Sequence, residues 1–105
     1  MEIKIFDGSI KTSKAQHDYV MNKVGVSASR LNDTASTVEV RLSDLNGMKG
    51  GIDKQCSILV MSPGRSTLRV EEQATDYYAA IDAAAETLKK SLAKSLERTK
   101  RNGPR

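Results

Sequence analysis

The chain is poor in the residues that catalysis, metal binding and disulfide scaffolds draw on. Among 105 residues there are one cysteine, one histidine, two prolines and no tryptophan, and the aromatics come to three tyrosines and one phenylalanine. The lone Cys56 cannot form an intramolecular disulfide, which points to a reducing compartment. It sits inside an apolar alternation and is expected as a buried structural thiol rather than a nucleophile. A nucleophile–base pair needs a base within hydrogen-bond reach, and His17, the only histidine, falls on the outer side of the first expected helix. No Cys/His spacing suits zinc, and neither a GxxxxGK[ST] nor a GxGxxG phosphate loop occurs. Asp76 and Asp82 are six apart on one helix, which turns them away from each other and excludes a catalytic carboxylate pair. The expectation is no enzyme, no catalytic residue, no metal and no cofactor. The start, MEIKIFDG, has no basic segment followed by an apolar run, so no signal peptide is expected. No stretch approaches the roughly 20 apolar residues that span a bilayer, so a cytoplasmic protein with no membrane partner is expected.

What the chain does have is one strongly patterned segment, EEQATDYYAAIDAAAETLKKSLAKSLERTKR, from Glu71 to Arg101. At about 100° per residue, Tyr77, Ile81, Ala85, Leu88, Leu92 and Leu96 fall on one line, the buried face of a long amphipathic helix. Thr75 is the candidate N-cap with Asp76 in the first turn, and Asn102, Gly103 and Pro104 mark the stop. Lys90, Lys94, Arg98 and Arg101 share the side away from the leucines, and Lys89 borders them. Residues 89–105 carry seven Lys/Arg against the single acid Glu97, so the basicity is local. Such a stripe can serve solubility alone. It can also track phosphates, with binding that weakens steeply as salt rises.

Upstream, EIKIF (2–6) alternates as a first strand, and Asp7-Gly8 supplies a turn. Ser13 followed by Gln16 has the form of a capping box and should open a first helix. Its inner face would be Gln16, Val20, Val24, Ser27 and Leu31, with Gly25 bending or fraying the second half. TVEVRLS, QCSILVM and STLRVEE then read as strands with Val38/Val40/Leu42, Cys56/Ile58/Val60 and Leu68/Val70 inward. Ser62-Pro63-Gly64 closes a hairpin, and DLNGMKGGIDK (44–54) reads as an exposed, mobile loop. The expected fold is an α+β two-layer sandwich, β-α-β-β-β-α, in which two helices cover one face of a four-stranded sheet. Residues 1–101 form one domain and 102–105 a tail.

With these elements placed, EQATDYYAAID (72–82) closely resembles the D-M-Y-A-A-I-D signature opening the last helix of the short ribosome hibernation-promoting factors. That family is also known as the ribosome-associated inhibitors or sigma-factor modulation proteins. Asp76, Tyr78, Ala79, Ala80, Ile81 and Asp82 match, while Tyr77 replaces the usual Met. The resemblance extends over nearly the whole chain and implies a fold similar to double-stranded RNA-binding domains. It also implies a stress-responsive translation inhibitor bound to the small ribosomal subunit, in the channel for mRNA and the A- and P-site tRNAs. Lys90, Lys94 and Arg98 match basic positions of the family's last helix and Lys23 one in the first. By this resemblance the four contact rRNA phosphates, with Lys89 and Arg101 at the border of the same stripe.

The sequence also departs from the family pattern. Gln16 and Ser27 stand where Leu is usual, Thr87 where Lys is common, and the first helix has few bases besides Lys14, Lys23 and Arg30. The alternative is therefore a diverged member with the same fold that binds another RNA or a protein partner. Long members continue into a second domain that pairs ribosomes; this chain is not expected to pair them that way, and its self-association stays open.

Overall fold

The computed structural model describes residues 1–8, 11–29, 31, 36–45 and 52–101, with side chains up to Lys94. Its elements are β1 (Glu2–Asp7), α1 (Lys14–Ser27), β2 (Thr37–Asp44), β3 (Lys54–Met61), β4 (Leu68–Ala74) and α2 (Tyr77–Arg101). This is the expected α+β order. The sheet runs β1-β2-β3-β4, with β1 parallel to β2 and the other neighbours antiparallel, so it is mixed. The parallel pair needs a crossover, which α1 supplies.

Register explains the single buried face. Ile3 and Ile5 pair with Val38 and Val40. Val38, Val40 and Leu42 stand opposite Val60, Ile58 and Cys56, and Ile58 stands opposite Val70. A slip of one residue anywhere would turn a whole apolar set to solvent, so burial itself enforces these pairings. Burial of Cys56 pushes its thiol up to about 12, the state of a packed apolar group rather than a nucleophile.

Helix α1 opens on the expected capping box, in which Gln16 N–H donates to Ser13 Oγ at 3.1 Å and Ser13 N–H to Gln16 Oε1 at 3.0 Å. The helix continues through Gly25 to Ser27 instead of breaking there. A Cβ at Gly25 would stand 4.0 Å from Ile3 Cδ1, and burial of Val20 and Val24 before it and of Ala28 after it supplies the order that glycine does not. Ala28 and Leu31, beyond the helix, complete its buried edge.

The start of α2 corrects the expected cap. Asp76, not Thr75, is the capping residue: its Oδ1 accepts from Ala79 N–H at 2.9 Å, and its carbonyl accepts from Ala80 N–H at 3.1 Å. Strand β4 holds the chain extended as far as Ala74, which pairs with Lys54. The chain is thus released into the helix one residue later than the motif suggests. From there Ala80, Ile81, Ala84, Ala85, Leu88 and Leu92 are buried against the sheet and α1, and Tyr77 is half-buried. Each large aliphatic so covered contributes about 1.5–3 kcal/mol. The turn after β3 is as expected: Arg65 N–H donates to the Ser62 carbonyl at 3.2 Å and Gly64 takes φ 73°, the left-handed position after proline in a type II turn.

The supposed loop 44–54 is partly structural. Asp44 ends β2, Lys54 begins β3, and Asp53 just before it is completely buried, its carbonyl accepting from Leu45 N–H at 2.8 Å, while 46–51 lie outside the described residues. Arg30, the stop signal Asn102-Gly103-Pro104 and the Leu96 side chain lie outside them too. Among the described residues no helix is long and apolar enough to cross a membrane.

Candidate nucleic-acid interface

The sheet hides one side of α2 and leaves the opposite side free. Because Leu88 and Leu92 must point at β3 and β4, Lys90 and Lys94 are forced outward, one turn apart on the same side. Both are exposed. Lys90 keeps a loose i,i+4 contact with Glu86 at 3.9 Å, its side chain 76% exposed, a pair that contributes little in water. Among the described residues Lys94 has no carboxylate within ion-pair distance. Arg98 and Arg101 continue the same helix, but their side chains lie outside the described residues.

Two expected site residues sit elsewhere. Lys23 projects from α1 toward α2, where its ammonium lies 3.5 Å from Asp82 Oδ1. Lys89 faces the same way and lines a groove of about 610 Å³ between the helices, shared with Lys23, Asp82 and Glu86. The six expected cations therefore do not form one face. Lys90 and Lys94 make a free ridge, whereas Lys23 and Lys89 lie in a groove that holds as many carboxylates as ammonium groups.

Asp82 is the pivot of that groove, and sequence reasoning gave it no role beyond its place in the motif. Tyr19 donates its hydroxyl to Asp82 Oδ1 at 2.6 Å. The bond to a carboxylate, followed by desolvation, raises the Tyr19 phenol above its ordinary range. The Lys23 ammonium lies 5.6 Å above the Tyr19 ring, and Tyr78 meets that ring edge-on at 4.9 Å. Tyr19 and Asp82 are 63 residues apart, so no local pattern could have revealed the link.

A second polar cluster pins the start of α2 from below. Lys54 Nζ stands 3.1 Å from both Asp44 Oδ2 and the buried Asp53 Oδ1, and 5.9 Å from the centre of the Tyr77 ring. Only the Asp44 contact has hydrogen-bond geometry; the Asp53 contact is an ion pair. The two carboxylates, Asp53 first, hold the ammonium above its ordinary range, while burial does most to raise the Tyr77 phenol. Across the sheet, Thr87 donates to Glu72 Oε2 at 2.9 Å, so the position where Lys is common in the resembled family tethers α2 to β4 here. His17 is exposed, 3.8 Å from Asp18 Oδ1.

Residues 3–100 match the model of the family described as sigma 54 modulation protein / S30EA ribosomal protein. A chloroplastic ribosome-binding factor of Spinacia oleracea, PSRP1, is 26% identical over 97 residues. That match covers 90% of this chain but 32% of the relative, so the chain spans about a third of its length. Among solved structures, the N-terminal domain of Thermus thermophilus Protein Y is similar at 34% identity and a TM-score of 0.70, over 90% of this chain and 98% of that one. A ribosomal subunit interface protein of Coxiella burnetii, at 19% identity and a TM-score of 0.63, shares the fold over 90% of this chain and 96% of its own.

Proposed function

The chain belongs to the sigma 54 modulation protein / S30EA ribosomal protein family, and from that premise we propose that it is a ribosome-associated hibernation factor. It binds the small subunit in the channel for mRNA and tRNA and blocks translation by occupying it. The contact is made to rRNA phosphates, first by Lys90 and Lys94 on the free ridge of α2, then by Arg98 and Arg101 further along it. Lys23 and Lys89 face the RNA from the interhelical groove.

The observation that carries this reading is the ridge. Two lysines on a helix docked by Leu88 and Leu92 are held at fixed spacing, with no carboxylate of the described residues closer than 3.9 Å. Folded RNA hides its base edges in a deep narrow groove, so point charges on a rigid rod suit its phosphates and shape. Blocking a channel requires affinity and bulk but no chemistry, which fits the packed state of Cys56 and the solvated state of His17. The Lys23–Asp82 pair, half-exposed on both sides, is screened by solvent and contributes little by itself.

The test is co-sedimentation of the purified protein with small subunits at low and high salt, for the native chain and for the variant Lys90→Glu/Lys94→Glu/Arg98→Glu. Salt-sensitive binding that the triple charge reversal abolishes is expected. Binding that is absent, or indifferent to the reversal, refutes the proposal.

A further inference from the structure

The groove between α1 and α2 is chemically unlike the ridge beside it. On the ridge Lys90 keeps only a loose 3.9 Å contact with Glu86 and Lys94 is in no ion pair among the described residues, but in the groove two ammonium groups share the walls with two carboxylates, so a phosphodiester entering it would meet Asp82 and Glu86 at close range. The groove is also roomy, at about 610 Å³, and its α1 wall carries Val26, a valine left 68% exposed. An apolar wall beside paired donors and acceptors suits a planar heterocycle with a polar edge better than a charged backbone.

Its two ends differ. At one, Asp82 is committed to Tyr19 and Lys23 through the same oxygen, at 2.6 and 3.5 Å. That end is a fixed stop. At the other, among the described residues, Glu86 has only the 3.9 Å contact with Lys90, and Lys89 is in no ion pair. Glu86 and Lys89 are three apart on one helix and therefore neighbours on its surface, a carboxylate beside an ammonium.

We propose that this groove receives one unpaired guanine of the bound RNA. Glu86 accepts from the N1–H and N2–H of its Watson–Crick edge, Lys89 donates to O6, and Val26 packs against the base plane. Guanine is the one common base whose pairing edge sets two adjacent donors beside an acceptor, the complement of a carboxylate beside an ammonium. Unpaired bases splayed from loops and bulges are the part of RNA that proteins read this way. The proposal rests on the RNA-binding reading above and adds base selection to it. The ridge supplies affinity for any RNA, and the groove decides which position docks.

The test is a titration of the ¹⁵N-labelled protein with short single-stranded oligouridylates carrying one central guanosine, inosine or adenosine. The guanosine oligomer is expected to shift the amides of Val26, Ala83 and Lys89. It should bind about 5- to 150-fold more tightly than the adenosine oligomer, the discrimination of one good bidentate contact. Inosine, which lacks the 2-amino group, should fall between them. Glu86→Gln, a substitution at an exposed position that keeps the helix, should erase the preference while leaving salt-dependent binding in place. Equal affinity for guanosine and adenosine, shifts confined to the outer side of α2, or no binding overturns the proposal. If ribosome co-sedimentation persists in that case, the groove assignment alone is lost; if it fails as well, the ribosome-binding reading goes with it.

Discussion

In Lys90→Ala/Lys94→Ala both side chains removed are exposed, so the helix should keep its packing on the sheet and its stability to within about 0.5 kcal/mol. Release of Glu86 from its 3.9 Å contact with Lys90 costs at most a few tenths of a kcal/mol, roughly the worth of an exposed i,i+4 pair. RNA binding should change far more. Each lysine that neutralises a phosphate adds about 0.7–0.9 to the slope of log K against log salt. Losing two should flatten that slope by about 1.4–1.8. Raising salt fourfold, from about 50 to 200 mM, should therefore weaken the native protein about 7- to 12-fold more than the variant. Filter binding or sedimentation across a salt series measures this directly, with Lys4→Ala on β1 as a control that should leave the slope alone. A double variant whose slope matches the native one would falsify the ridge as the phosphate contact, whatever its absolute affinity.

Three further outcomes test the frame that holds the ridge. Leu88→Ala empties a fully buried position under α2 and should cost about 2–5 kcal/mol in urea unfolding, whereas a loss below about 0.5 kcal/mol would mean the helix is not docked through this face. Gly8→Ala places a Cβ 2.2 Å from the Leu42 carbonyl oxygen and 2.6 Å from Ser43 Oγ, so β1 and β2 must shift apart. A loss of about 1–3 kcal/mol is expected, and an unchanged midpoint would count against the β1–β2 pairing. The Cys56 thiol is raised from 9.0 to about 12, so the folded state keeps a proton that the unfolded state gives up. Its contribution to stability is complete below pH 9 and is lost as pH rises from there toward about 12, and Cys56→Ala should remove that component of the alkaline fall. Rapid alkylation of native Cys56 at pH 8 would contradict it.

Sequence alone determined the element order and the inward faces, because alternation at Val38/Val40/Leu42 and the helical period of Ile81/Leu88/Leu92 are local consequences of burying one side. The Ser13 capping box and the Pro63-Gly64 turn were legible for the same reason, since their partners lie within three residues. Tertiary structure decided what depends on where elements meet. Thr75 and Asp76 can both cap a helix, and the register of β4 on β3, which holds Ala74 against Lys54, selected Asp76. Asp53 and Lys54 read as polar loop residues in the sequence, but in the fold Lys54 begins β3 and Asp53 is buried with the Lys54 ammonium 3.1 Å from its carboxylate. The cations divided between ridge and groove only when α1 came to lie beside α2. A helical count places Lys89 near Lys90, but it cannot place Tyr19 and Lys23 against Asp82, because that contact is set by the packing of two helices distant in sequence.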